Sequence, residues 1–121
     1  MDAVYVFRID AEPADDGCVV LRLRGALDAH TTPELEYELS RSLAGRPRLI
    51  VLDLAEVTYI SSAGFGALLD GLHGCRDERS DLRIAAMPPG VARVFGILGL
   101  RKVFEPFDTV AAAIAGARGA P

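Results

Sequence analysis

The sequence predicts one α/β domain: a mixed sheet of four to five strands, opened by an N-terminal hairpin and packed against about four helices. Three observations predict it. The segment Leu21-Arg22-Leu23-Arg24 alternates apolar and charged residues, the period-two pattern of a half-buried strand. Leu35, Leu39 and Leu43 recur at four-residue spacing, which lays an apolar stripe along a helix. Arg48-Leu49-Ile50-Val51-Leu52-Asp53-Leu54 is nearly all apolar, as in a strand covered on both faces. Strands then alternate with helices, which favours parallel pairing through helical crossovers. A chain of 121 residues has material for one such domain, taken here as residues 1–117 with 118–121 a frayed tail.

In chain order, Val4–Asp10 reads as a first strand and Glu12-Pro13-Ala14-Asp15-Asp16-Gly17 as a turn. A second strand follows over Cys18–Arg24, making a hairpin. Gly25–Pro33 breaks it. Thr32 before Pro33 has the look of an N-cap with proline at the first helical position, and the helix runs to about Gly45. The apolar strand ends at Leu54, and Ala55–Ile60 leads into Ser61 and Ser62. These open a helix with Phe65, Leu68, Leu69 and Leu72 on one face, reaching about Arg76. Asp81–Ala86 is the next strand. Pro88-Pro89 opens a helix that Gly99 stops. Phe104–Phe107 reads as a short extended piece, and Asp108 or Thr109 caps a last helix through Val110, Ala113 and Ile114.

Composition narrows the function. Half the residues are apolar and 25% are charged, so the chain is no disordered tail. A net charge of −4 argues against a nucleic-acid partner, whose phosphates need a basic face. Cys18 and Cys75 form neither a zinc signature nor a CxxC redox motif, and sit among apolar or small residues as reduced structural thiols do. No apolar run approaches the roughly 20 residues that span a bilayer, and the N-terminus lacks the charge and apolar core of a signal peptide. The expectation is a cytoplasmic protein with no membrane partner, no metal and no cofactor.

Chemistry is best placed where a buried strand turns into a helix, between Asp53 and Gly66. Sites in open α/β sheets gather at the carboxyl ends of the strands. Ser61 and Ser62 fall there, at a helix start whose free N–H groups and positive dipole end favour an anion, a serine-bound phosphate included. A hydrolytic triad of Ser62, His30 and Asp28 is disfavoured. Asp28 and His30 stand two apart in one turn, and Ile60-Ser61-Ser62-Ala63-Gly64 is not G-x-S-x-G. Gly64 and Gly66 complete no phosphate-binding loop. On the residues alone, the two serines read first as a plain helix cap, and no enzyme is expected.

Three ordered segments resemble a known family. Arg22-Leu23-Arg24-Gly25-Ala26-Leu27-Asp28-Ala29-His30-Thr31 resembles its strand-Gly-x-Leu-Asp turn. Leu49–Leu54 followed by Val57-Thr58-Tyr59-Ile60-Ser61-Ser62-Ala63-Gly64-Phe65-Gly66 resembles its hydrophobic strand and Asp-Ser-Ser/Thr-Gly-Leu-Gly motif. Met87-Pro88-Pro89-Gly90-Val91-Ala92-Arg93-Val94-Phe95 with Leu98-Gly99-Leu100 resembles its Pro-x-V-x-R-x-F helix and stop. The family is the STAS domain, of the anti-sigma factor antagonist type, and the resemblance covers nearly the whole chain.

The resemblance implies the STAS fold and a partner switch. The unphosphorylated antagonist binds an anti-sigma factor that is also a serine kinase with a GHKL-type ATP site, and sigma factor is released. Phosphorylation ends the binding, and a PP2C-type phosphatase resets it. The phosphoacceptor falls on Ser62. The family's preceding Asp falls on Ser61 and its second Ser/Thr on Ala63, both departures. Asp28 takes the place of the turn acid, near Ser62. The implied partner surface holds Asp28, His30, Thr31, Ser61, Ala63, Gly64 and Phe65. Some members pair weakly, so a weak homodimer is a further implied partner. The rival reading is a STAS accessory or scaffold subunit of a transport or signalling assembly, without phosphorylation.

Overall fold

The computed structural model describes residues 7–119. Four strands among them form one sheet in the order β1-β2-β3-β4: β1 (Arg8–Ala14), β2 (Cys18–Leu27), β3 (Leu49–Ile60) and β4 (Leu82–Ala85). β1 pairs antiparallel with β2 across a single 3₁₀ turn, Asp15–Gly17. β2, β3 and β4 run parallel. The mixed sheet with an N-terminal hairpin is therefore as expected. Five helices accompany it: α1 (Thr32–Leu43), α2 (Ser62–Asp77), α3 (Pro89–Ile97), the one-turn α4 (Arg101–Phe104) and α5 (Val110–Gly119).

Several boundaries move. β1 runs through Glu12 and Pro13, read above as turn, because an edge strand tolerates a residue without an N–H. The reversal shifts to Gly17, whose φ of +75° suits glycine. Val4–Val6 of the expected first strand lie outside the described residues. β2 does not stop at Gly25 but continues to Leu27, and β3 continues past Leu54 to Ile60. Irregularities between Arg22 and Arg24 and between Gly25 and Ala26, with Gly25 at φ +101°, keep the two strands paired. Of the expected extended piece Phe104–Phe107, only Phe107 bridges to Ala85, and Phe104 closes α4. Thr109 caps α5 by accepting the Ala112 N–H at 3.0 Å. That helix continues to Gly119, and Ala120 and Pro121 lie outside the described residues.

β3 explains the two-sided cover. Leu49, Ile50, Val51 and Leu52 are all buried. One face, with Leu21, Leu23, Ile50, Leu52 and Leu54, packs against Leu35 and Leu39 of α1, Leu68 and Leu72 of α2 and Phe95 of α3. The other, with Cys18, Val20, Leu49 and Val51, receives Ala113 and Ile114 of α5. Cys18 and Cys75 are both buried thiols. Burial, aided by the charge of Asp81, pushes the Cys75 thiol up to about 11, so it stays protonated at neutral pH.

Candidate functional site

The parallel pairing of β2 and β3 brings two chain reversals together. Leu27 pairs with Ile60 as the last step of that ladder. The next residues are Asp28 on one side and Ser61 on the other. The ladder ends on one further bond, in which the Ser61 N–H donates to the Leu27 carbonyl at 2.9 Å. The turn after β2 and the start of α2 are thus joined through main-chain atoms.

Ser61 is the N-cap of α2. Its backbone is extended (φ −84°, ψ 175°), and its Oγ accepts the Gly64 N–H at 3.2 Å. A serine here does the capping that an aspartate would do, which accounts for one departure from the family motif in physical terms. Gly64 is fixed by space rather than by φ. A Cβ on it would meet the Leu27 carbonyl oxygen at 2.5 Å and the Ile60 side chain at 2.8 Å. The helix start can approach β2 this closely only with glycine there.

Ser62 is the first residue of α2 and is exposed. Among the described residues nothing bonds its hydroxyl, so the cap belongs to Ser61 and Ser62 Oγ stands open to solvent. Ala63 beside it is exposed as well. No acidic residue lies in the first turn of α2, which leaves the positive end of the helix dipole unopposed from within the helix. Phe65 points the other way. It is buried, with its ring 6.0 Å from that of Phe95, which in turn lies 5.5 Å from Phe104. It anchors the helix start and offers little surface for a partner.

The turn at residues 28–31 is held by its own polar groups. Asp28 Oδ1 accepts the His30 N–H at 2.9 Å and the Thr31 N–H at 3.2 Å. Thr31 Oγ1 accepts the Asp28 N–H at 2.9 Å and donates to the Ala26 carbonyl at 2.8 Å. Asp28 is therefore a turn stabiliser by geometry. Thr31, not Thr32, is the N-cap residue of α1, and Thr32 is buried as its first residue. His30 is exposed, and Asp28 holds its backbone N–H rather than its ring, so no acid orients that imidazole toward Ser62.

Sequence reasoning missed the β3 side of this surface. Thr58 and Tyr59 line an open cleft of about 870 Å³ with Phe7, Ala26, Asp28 and His30. Tyr59 is 58% exposed. Read as a connector, 55–60 had no assigned faces. Once β3 extends to Ile60, the ladder places Tyr59 opposite Ala26, two residues from Asp28.

Among the described residues no helix is long and apolar enough to cross a membrane. Residues 9–113 match the STAS domain family. BtrV of Bordetella bronchiseptica, named as a candidate anti-sigma factor antagonist, is 32% identical over 100 residues, covering 83% of this chain and 86% of BtrV. The anti-sigma-B factor antagonist of Listeria monocytogenes is 26% identical over 97 residues, covering 80% and 85%. The crystal structure of an anti-sigma factor antagonist from Mycobacterium paratuberculosis superposes with a TM-score of 0.84 at 26% identity, covering 98% of this chain and 99% of that one. With its family match spanning most of its length, and a fold shared end to end with a solved antagonist, this chain belongs to the STAS domain family.

Proposed function

We propose that this chain is an anti-sigma factor antagonist whose binding is switched at Ser62. Unphosphorylated, it binds an anti-sigma factor that carries GHKL-type serine kinase activity, and the sigma factor goes free. Phosphorylation of Ser62 by that partner ends the complex, and a PP2C-type phosphatase restores it. One observation carries the reading: Ser62 presents an exposed hydroxyl, bonded by nothing among the described residues, at the first turn of α2, while its neighbour Ser61 does the capping. The names of the relatives support the same activity.

The arrangement suits an electrostatic switch. A phosphoserine carries about −1.5 to −2 charges at neutral pH. The free N–H groups of the α2 start tolerate it in the isolated protein. In a complex, the same charge is desolvated, with the Asp28 carboxylate on the neighbouring turn adding repulsion. An imperfectly paired buried charge at an interface costs about 2–5 kcal/mol, a weakening of roughly tens to thousands of fold. The partner surface on this reading is the 25–31 turn, with Asp28, His30 and Thr31, together with Ser61 and Ala63 at the helix start and the exposed Tyr59, while Gly64, expected on that surface, is buried against Leu27 and sets its shape from beneath. On this reading the chain acts by binding a partner, not by catalysis.

The test is a pull-down from the native lysate with wild-type, Ser62→Ala and Ser62→Asp baits, read by mass spectrometry with phosphosite mapping. Wild type and Ser62→Ala are expected to retain a GHKL-type kinase that Ser62→Asp loses, with phosphate on Ser62. Phosphate on Ser61 alone would overturn the assignment. Retention of the same non-kinase proteins by all three baits would replace it with an accessory or scaffold subunit.

A further inference from the structure

No acidic residue occurs between Asp81 and Glu105, the stretch that supplies β4, α3 and α4. On a molecule of net charge −4, this stretch carries four cations: Arg83, Arg93, Arg101 and Lys102. Arg83 is held, 3.5 Å from Asp81 and stacked 5.4 Å over the Phe107 ring. Arg93, Arg101 and Lys102 are exposed, and none of the three makes an ion pair among the described residues. All the exposed large aliphatic side chains of the described residues lie in the same stretch: Val94, Ile97, Leu98 and Val103, with Ile97 74% exposed. The Arg101 Nε lies 3.7 Å from where a Cβ on Gly96 would sit, so this guanidinium folds over α3 beside Ile97.

The patch continues into a groove of about 340 Å³ between β3 and α3, where Val91 and Val94 of α3 face Val57, Thr58, Tyr59 and Ile60 of β3. The chemistry of an occupant follows. Three cations without partners select an anionic ligand. A concave apolar groove selects projecting apolar side chains, which a flat lipid surface does not supply. A second copy docked face to face would set Arg93, Arg101 and Lys102 against their own counterparts, a like-charge arrangement that opposes pairing.

We propose that the α3–α4 face and the groove beside it form a docking surface for an acidic segment of a partner protein that carries apolar side chains. It adjoins the Ser62 surface at Thr58 and Tyr59, which line both, but its cations and exposed aliphatic side chains lie on α3 and α4, and docking there does not depend on phosphorylation of Ser62.

The test uses the full chain and fluorescence anisotropy with two labelled synthetic peptides. One carries leucines at helical spacing on a glutamate background, the other the same leucines on lysine. The acidic peptide is expected to bind, with affinity falling as salt rises, and the lysine peptide is not. The variant R93E/R101E/K102E is expected to weaken binding about tenfold or more, through slower association and a lost salt dependence. The variant I97S/L98S weakens it without changing the salt dependence, and Ser62→Asp retains binding, which separates this surface from the switch. All five altered patch positions are exposed, so folding is expected to persist, and circular dichroism checks it. The proposal fails if neither peptide binds, if both bind alike, or if the charge reversal changes nothing. It also fails if phosphatidylserine vesicles capture the chain through these residues in place of the peptide. Self-association in sedimentation that the reversal abolishes would overturn it too, by making a second copy the occupant.

Discussion

Replacing Ser61 by alanine removes the acceptor of the Gly64 N–H. Loss of an N-cap of this kind costs about 1 kcal/mol. Ser62→Ala removes an exposed hydroxyl that makes no hydrogen bond among the described residues, and such surface changes stay within about 0.5 kcal/mol. Urea unfolding of the two variants is expected to separate them in that order, and equal losses would mean that the capping is shared. The sequence could not make this distinction, because either serine of an adjacent pair satisfies the rule for a helix start. The close approach of Gly64 to Leu27 decides it, and that is a tertiary fact. Asp28 was legible as a turn acid from its place three residues after Gly25, but not its bonds to the His30 and Thr31 N–H groups. Cys75 gives a pH prediction. Its thiol is raised from 9.0 to about 11 in the folded protein. The folded state therefore holds the proton more tightly, and the stability this contributes is whole below pH 9 and lost as pH rises through 11. The wild type is expected to lose more stability across that window than Cys75→Ala. Parallel slopes for the two would remove Cys75 from the alkaline response.

At the scale of elements, the joint between β2, β3 and α2 depends on Gly64. Gly64→Ala is expected to destabilise by about 1–3 kcal/mol, as overpacking does, because the Leu27 carbonyl it meets is main chain and cannot swing aside. Unfolding measures the loss, and weaker partner binding should accompany it as the α2 start moves off the turn. A change below a few tenths of a kcal/mol would show that the helix can slide. Helix stripes, the buried β3 run and the Gly99 stop were all readable from local pattern. The carboxyl halves of β2 and β3 were not. Their alternation is reset by irregular pairing near Arg24 and Gly25, so Glu56, Thr58 and Tyr59 no longer follow the phase set by Leu49–Leu54. The reading therefore stopped the strands early and lost Tyr59 from the surface it helps to form. Pro13 misled in the opposite sense, since its tolerance rests on β1 lying at the sheet edge, a property of topology rather than of the residue.

For the whole molecule, α1, α2 and α3 cover one face of the sheet and α5 the other, and the proposed switch lies where β2 and β3 end. A charge added at Ser62 would meet helix-start N–H groups already in place, so the proposed switch is expected to be local. Amide chemical shifts of the phosphorylated protein are expected to change over residues 25–31 and 58–66 and to stay fixed in α5, and broad changes reaching α5 would refute a local mechanism. The resemblance in three ordered motifs conveyed the fold and the candidate surface together. The α3–α4 patch escaped because its cations stand singly along the chain and gather only when two short helices fold together.

The bond from Ser61 to the Leu27 carbonyl has a consequence for inheritance. Apart from the requirement for glycine at 64, this joint is built of main-chain atoms. Side chains at His30, Tyr59, Ser62 and Ala63 can change without disturbing it. Duplicated genes for such a domain are free to drift at these positions while every copy keeps its shape. Parallel regulatory circuits in one cell can then be insulated from each other by recognition residues alone, and rewired by exchanging them.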